Sequence, residues 1–478
     1  YSSIIGFGLG ITVSDVNQDH WPDIYVSNDF TENDYLYINN QDGTFTEHLE
    51  ESIRQTSRYS MGNEIADLNN DGLPEIITTD MLPADPEIWR RSVTEDKVEV
   101  YKIKERLGYG DQYVRNTLQE NLGNGQFSDV SLMAGTFASD WSWSPLIFDM
   151  DNDGISDLHI TNGIYKRPND LDYLNYLSNP PEGGQSQEER DAFLITTLPT
   201  LKISNLATKH LGNMEMKDIA EDWGLDEPSY SNGSTYADLD NDGDLDLVIN
   251  NTEQKAFVYE NKTNHEANFL TVSLQGLEHN AYGIGAKVIL SHQNDKFVRQ
   301  NYTTRGFQSS VPPVLYFGLG NIDELNIEVI WPNGQKQKLE KVKTNQSLQI
   351  KYGPQGGKMN LGIENNQKLR LIDHNISFNH KENNFNDFDI EYLIPRKFNT
   401  EGPALAVGDV NDDGLADVFL GGASAQAAEL WIQKAEQQFE KVPNRDFEQL
   451  AKSEDVAAKF FDADGDGDQD LYVTSAGN

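Results

Sequence analysis

Six times along this chain a nine-residue stretch places acidic or amide side chains at its first, third, fifth and ninth positions. The sets are Asp15, Asn17, Asp19 and Asp23; Asp67, Asn69, Asp71 and Glu75; Asp149, Asp151, Asp153 and Asp157; Asp238, Asp240, Asp242 and Asp246; Asp409, Asn411, Asp413 and Asp417; and Asp462, Asp464, Asp466 and Asp470. Glycine stands sixth in five of them, at Gly72, Gly154, Gly243, Gly414 and Gly467, while His20 holds that place in the first. Alternate oxygens on a tight loop can converge on one ion, and Ca2+ takes roughly six to eight oxygens at about 2.3–2.6 Å, so these residues are the expected ligands of five or six calcium ions. The seventh residue would add its backbone carbonyl, and glycine at the sixth permits the left-handed turn that folds the loop back over the ion. Plain Asp-Gly turns that bind nothing would explain the glycines. They would not explain three or four carboxyl groups within nine residues, which repel one another unless a cation lies between them.

The flanks decide what kind of loop this is. Short apolar runs precede it, as in Leu146-Ile147-Phe148 or Ala404-Leu405-Ala406-Val407, and others follow, as in Leu247-Val248-Ile249 or Val418-Phe419-Leu420. An EF-hand would continue to a glutamate at position twelve between two helices. Here the unit is strand, acidic loop, strand. A second element, Asn39 to Phe45 and again Asn121 to Phe127, is an Asn/Asp-Gly turn ending in a phenylalanine expected to be buried, and reads as an outer hairpin.

Composition narrows the function classes. Among 478 residues, 37 Lys plus Arg face 78 Asp plus Glu, a formal charge of −41 that repels nucleic acid and anionic lipid alike. With no cysteine, neither disulfides nor thiolate zinc sites can brace the fold, which leaves packing and hard metals. No stretch reaches the roughly 18 apolar residues of a membrane span. Tyr1 opens the chain without a signal-like segment, and Asn478 follows the strand-like Leu471-Tyr472-Val473, so the chain is expected to be truncated at both ends.

Loop starts at Asp15, Asp67, Asp149 and Asp238 mark four blades within residues 1–265. Two insertions enlarge the later intervals: 84–112, with a charged helical stretch from Thr94 to Leu107, and 166–213, with an expected exposed loop from Pro180 to Ser186 and a helix from Gln187 to Thr197. They are either a ligand surface held by the blades or cover for blade edges. From residue 268 to 352 acidic loops vanish and alternating strands such as Phe269–Leu274 and Leu325–Trp331 dominate, as in a separate small β domain. Gly353 to Gly357 reads as a linker, and the loops then return within 365–478.

The Asp-rich loops resemble the FG-GAP or VCBS repeats of the integrin α-subunit propeller and of many exported bacterial proteins. Gly283-Ile284-Gly285-Ala286, Phe317-Gly318-Leu319-Gly320 and Trp331-Pro332-Asn333-Gly334 resemble the ASPIC/UnbV domain that accompanies such repeats. Together with Asp140-Trp141-Ser142-Trp143-Ser144 and Glu401-Gly402-Pro403-Ala404 the chain is similar to large exported proteins of Bacteroidetes-type bacteria. The resemblance implies an all-β fold: a β-propeller of such blades, a small β-sandwich-like domain, the start of a second propeller, and minor helical insertions. It implies calcium, and it leaves the ligand open.

The resulting expectation is a non-catalytic, calcium-stabilised extracellular or cell-surface protein with a protein or a glycan as partner. Comparable extracellular modules bind calcium at about 0.1–1 mM, so such sites fill outside a cell. The rival is a calcium-dependent polysaccharide lyase, with His159 as base and Lys166-Arg167 as anion clamp; against it, His159 also reads as a satisfied blade residue. Metalloprotease, nucleophile-elbow and phosphate-loop motifs are all missing from the sequence. Trp141 and Trp143 alternate, which puts them on one face as either a sugar-stacking platform or packing between blades.

Overall fold

The structure, a computed structural model, describes residues 6–92, 98–178, 196–263, 267–353, 375–382, 385, 387, 390, 402–435, 438–464 and 466–476. The stretch 94–97, the loop 180–186, the helix expected at 187–197 except its last two residues, the linker after Gly353, Glu401 and Gly465 lie outside them. The chain divides into two compact units, Tyr1–Gln367 and Lys368–Asn478.

In the first unit each acidic loop joins the first two strands of an antiparallel sheet. Blade 1 comprises Phe7–Ser14, Asp23–Asp29, Tyr35–Asn39 and Phe45–Glu47; blade 2, Asn63–Ala66, Glu75–Thr78, Thr117–Asn121 and Phe127–Asp129. Blade 3 comprises Ser142–Phe148, Asp157–Asn162, Leu206–His210 and Met216–Asp218; blade 4 has three strands, Ser231–Ala237, Asp246–Asn251 and Phe257–Tyr259. Successive residues point to opposite faces, so a strand covered on both sides needs an unbroken apolar run. Ile76 packs towards blade 1 with Tyr25, Leu36 and Ile65, while its neighbour Ile77 packs towards blade 3 with Leu118, Leu158 and Ile160. Likewise Ile147 joins the blade 2–3 core, and Leu146 and Phe148 join the core shared with blade 4.

Residues 268–351 form two sheets. One holds Asn268–Gln275 between Val314–Gly320 and Gln346–Lys351; the other runs Asp295–Gln300, Lys287–His292, Glu324–Ile330 and Lys336–Lys343. Their inward residues, among them Leu270, Val272, Val288, Leu290, Phe317, Ile327 and Trp331, make a core of their own. This sandwich is nevertheless part of the same compact unit as the four blades. Its hairpin Thr304–Ser310 lies among the innermost strands and bonds to every blade. Val13 N–H donates to Thr304 Oγ1 (3.4 Å), Arg305 Nη1 donates to the Ile65 carbonyl (2.9 Å), Phe307 N–H donates to Ser144 Oγ (3.2 Å), and Thr235 Oγ1 donates to the Ser310 carbonyl (2.7 Å). Arg305 also pairs with the buried Glu64 at 3.3 Å.

Both insertions contribute helices, Pro86–Arg91 and Val98–Arg106 from the first and Leu171–Ser178 from the second. Asp85 Oδ1 caps the first by accepting from Glu87 and Ile88 N–H groups, and Arg91 bonds Asp170 at 2.8 Å, which ties the two insertions together. The outer hairpins differ from expectation at one residue. Phe127 is buried in the core shared by blades 1 and 2, but Phe45 is 42% exposed and is not part of that core.

The second unit holds a four-stranded sheet, Leu405–Gly408, Asp417–Leu420, Glu429–Ala435 and Gln438–Val442, and the pair Glu454–Phe461 and Asp470–Ala476. Ala404, Ala406 and Phe419 form its buried centre.

Candidate metal centre

All six loops leave and re-enter their sheets at the same rung. The residue before position one pairs with position nine as Ser14 with Asp23, Ala66 with Glu75, Phe148 with Asp157, Ala237 with Asp246, Gly408 with Asp417 and Phe461 with Asp470. Inside that frame three hydrogen bonds recur. The sixth residue's N–H donates to the first carboxylate at 2.7–3.2 Å. The second residue's N–H donates to the ninth carboxylate at 2.7–3.1 Å. The seventh residue's N–H donates to the fifth at 2.7–3.3 Å. The sixth residue is left-handed throughout, with φ of 90° at Gly72 and 100° at Gly243, and His20 follows at 70°, so the first loop makes the same turn without glycine.

The carboxylates converge as the spacing requires. One oxygen each from Asp149, Asp151 and Asp157 lies within 4.8 Å of the others, and the same holds for Asp238, Asp240 and Asp246 and for Asp462, Asp464 and Asp470. In the other three loops the third residue is an amide, and Asn17, Asn69 and Asn411 use Oδ1 to accept from Asp19, Asp71 and Asp413 N–H groups at 2.9–3.0 Å. The ninth residue also ties the loop to its sheet. Its other oxygen accepts an N–H from the third strand, Asn39 to Asp23, His210 to Asp157 and Gln433 to Asp417, or in blade 4 from Asn261 just beyond that strand to Asp246, at 2.8–3.0 Å.

A divalent ion fits what this network leaves over. Asp15, Asp67 and Asp149 each use Oδ2 for the sixth N–H, while their Oδ1 atoms, with Glu75 Oε1, are buried and have no hydrogen-bond partner. A buried acceptor left unmet costs about 1–3 kcal/mol, more when charged, and a hard cation is met by just such oxygens. Burial pushes Asp67 up to about 6, Asp149 to about 7, Asp157 to about 8 and Glu75 to about 9. Asp244, seventh in the fourth loop, was not among the expected side-chain ligands; it is buried, neither oxygen has a hydrogen-bond partner, and burial followed by Asp242 pushes it to about 7. The fifth acid in that loop was the visible signal.

The sandwich lies directly on these loops. Gln300 Oε1 accepts from Ser14 Oγ (2.9 Å) and Asp15 N–H (3.0 Å), and Arg299 donates to Asn70 Oδ1 (3.2 Å). A Cβ at Gly318 would stand 2.1 Å from Asp149 Oδ2, and one at Gly243 2.2 Å from the Phe269 ring, so these glycines permit the approach. Neighbouring loops also latch. Gln18 donates to the Gly72 carbonyl, Asn70 to that of Gly154 (2.7 Å) and Asn152 to that of Gly243 (3.1 Å).

The residues suggested for catalysis or sugar stacking are placed otherwise. His159 is buried in blade 3 as expected of a blade residue, yet neither ring nitrogen has a hydrogen-bond partner, because the strands around it present apolar side chains; burial lowers it to about 4. Arg167 is buried against Asp140, and Lys166 donates to the Leu198 carbonyl. Trp141 is buried, whereas Trp143 packs on Phe307 of the sandwich hairpin at 4.8 Å and donates its ring N–H to the Gly163 carbonyl, so they form packing and not an open platform.

Comparison with known proteins agrees with this architecture. Residues 276–356 match the ASPIC and UnbV family, and residues 15–78 and 376–473 match the FG-GAP-like repeat. Cartilage acidic protein 1 of Xenopus tropicalis is 24% identical over 334 residues, 69% of this chain and 42% of that protein. The Mus musculus protein of the same name is 28% identical over 134 residues, 27% of this chain and 21% of that one. The chain thus spans less than half the length of these relatives. Among solved structures, the biofilm matrix protein Bap1 of V. cholerae aligns over 98% of this chain and 77% of its own at 11% identity, with a TM-score of 0.24 that carries no argument.

Proposed function

Since the chain belongs to the FG-GAP-like repeat proteins that carry an ASPIC and UnbV domain, and is homologous to cartilage acidic protein 1, we propose that it is a non-catalytic, calcium-binding extracellular protein that engages another macromolecule, a protein or a glycan. The observation that carries the calcium reading is the set of buried, unmet oxygens on Asp15, Asp67, Asp149 and Glu75, at ligand positions of loops that share one hydrogen-bond skeleton. In this reading the ions are structural: each joins two strands and neutralises its loop.

Two features favour binding over catalysis. The hairpin Thr304–Ser310 fills the centre of the four blades, where a propeller enzyme would hold substrate, and Arg167 is committed to Asp140. No helix among the described residues is long and apolar enough to cross a membrane. Calorimetric titration should register calcium binding in the range of about 0.1–1 mM typical of extracellular modules. Glycan and protein arrays probed with and without calcium then identify the partner class. Failure to bind calcium at several millimolar would remove the metal reading, and turnover of a polysaccharide would replace the non-catalytic one.

A further inference from the structure

The third loop holds a cation of the protein's own across two of its ligand residues, whereas in the first loop Lys287 stands 3.6 Å from Asp15 Oδ2 alone and is buried there. Lys209, on the third strand of blade 3, places Nζ 2.8 Å from Asp153 Oδ2 and bonds Asp151 Oδ2 as well, so its ammonium sits between the third and fifth ligand residues. The position is fixed by the fold: the next residue, His210, donates its N–H to the ninth-position Asp157, which clamps this strand to the loop. The residues that precede the equivalent amides elsewhere are Ile38, Glu260 and Ile432, before Asn39, Asn261 and Gln433, and none is a cation. Asp149 Oδ1, buried and without a hydrogen-bond partner, faces the same loop but is left unmet by Lys209.

We propose that Lys209 sets the calcium affinity of the third loop by competing with the ion for Asp151 and Asp153. The inference rests on the calcium reading above and makes it specific. A Lys ammonium is a compact charge on a flexible stem, and this side chain is partly solvent-exposed, so it can swing out when an ion enters. While it remains in place the two carboxylates are compensated without metal. Calcium then binds only the fraction of loops from which Lys209 has withdrawn, and its apparent dissociation constant rises by the inverse of that fraction. The third loop therefore stays ordered at calcium concentrations that leave the fourth loop without an ion, and fills later than its ligands alone would dictate.

Hydrogen exchange of the full chain during a calcium titration, read in peptides covering 149–157 and 238–246, reports the two loops separately. Lys209→Met should lower the calcium midpoint of the third loop by about tenfold while leaving that of the fourth unchanged, whereas Lys209→Arg, which keeps the charge, should stay within about threefold of wild type. In chelator the third loop of the wild type should exchange more slowly than the fourth, and Lys209→Met should remove that difference. Unchanged midpoints in Lys209→Met, with both loops responding to calcium, overturn the role of Lys209 and leave the calcium reading standing. Absence of any calcium response in either peptide overturns the calcium reading and this inference with it. Should Lys209→Met fail to fold, the wild type in chelator decides: equal exchange in the two loops counts against Lys209.

Discussion

The loops of the first three blades and the two loops of the second unit share one backbone and differ in the cover over their first residue. Asp149 accepts the Gly154 N–H at 2.9 Å, and Asp409 accepts the Gly414 N–H at 2.7 Å, within the same rung-to-rung frame. Asp409 is only partly buried in a loop whose next residues, Asn411 to Gly414, are exposed, and the Gly414 N–H lowers its carboxyl, whereas Asp149 is 4% exposed beneath the sandwich and burial lifts its carboxyl to about 7. Local sequence thus makes the turn, while tertiary cover creates the demand for a cation. In water the hydrogen bonds of the turn suffice to hold an ionised loop; under the sandwich they leave an oxygen unmet.

The largest effect separating the two units should come from removing calcium. At free calcium one hundred times the dissociation constant, each filled site contributes about 2.7 kcal/mol. Scanning calorimetry with excess chelator should shift the transition of residues 1–367 well below its calcium-saturated value and move that of residues 368–478 less. Magnesium should restore little, since it prefers a smaller octahedral shell. An equal shift in both transitions would end the distinction between covered and open loops.

The dependence on pH sharpens the same contrast. In chelator the Asp149 carboxyl has its ordinary 3.8 unfolded and about 7 folded, so the folded chain binds more protons between those values. Its contribution is therefore full below about pH 4 and lost as pH rises towards 7, and Asp157 extends the loss towards 8. Asp409, lowered in the fold, has the opposite sign: its contribution is present above its unfolded value and fades in stronger acid. With calcium bound the covered carboxylates are held ionised, and the slope between pH 4 and 8 should disappear. Denaturant titrations of the first unit across that range, with chelator and with calcium, read it directly; a slope that persists unchanged in calcium would mean the ion does not reach these carboxylates.

Single substitutions come next. Asp149→Ala leaves the Gly154 N–H unpaired in a buried site and should cost about 1–3 kcal/mol in chelator, and more in calcium where the ion is lost too. Asp409→Ala leaves the Gly414 N–H to water and should cost well under half as much. Equal losses in urea titrations would show that cover does not set the difference.

How much of this was legible in the sequence follows the same division. The nine-residue pattern encodes local turns, and the apolar runs beside it encode strands buried on both faces, so the loops and the first two strands of each blade could be read directly. What the loops touch could not. Gly318 and Gln300 lie far along the chain from Asp149 and Asp15, and nothing local in either stretch indicates that they meet. Phe45 and Phe127 end the same hairpin motif but have different fates, because burial depends on the next blade and not on the hairpin. Lys209 is one lysine among many until the strand pairing puts it beside Asp151. Asp244 stood in plain view, yet position seven is expected to coordinate through its carbonyl, and only its burial singles out the side chain.

The smallest expected effect tests whether the covered loops act as a set. Asn70 donates Nδ2 to the Gly154 carbonyl at 2.7 Å, so the second loop holds the third; Asp412, its counterpart in the second unit, has no amide to donate. Asn70 is also left-handed, at φ 59°, so alanine would mix backbone strain with the lost bond, whereas Asn70→Asp keeps a residue that tolerates that conformation. It removes the donor, keeps the Oδ1 that accepts from Arg299, and places the new charge between that guanidinium and Asp67 and Asp71. The expected loss is about 0.5–1.5 kcal/mol by denaturant titration in calcium, since Arg299 offsets the added charge and the lost latch dominates. A hydrogen-exchange experiment separates the two contributions: loss of the latch should speed exchange in the peptide 149–157, one blade away, whereas added charge alone should act only within 67–75. If exchange changes in the second loop and not in the third, the loops are neighbours under a common cover and nothing more.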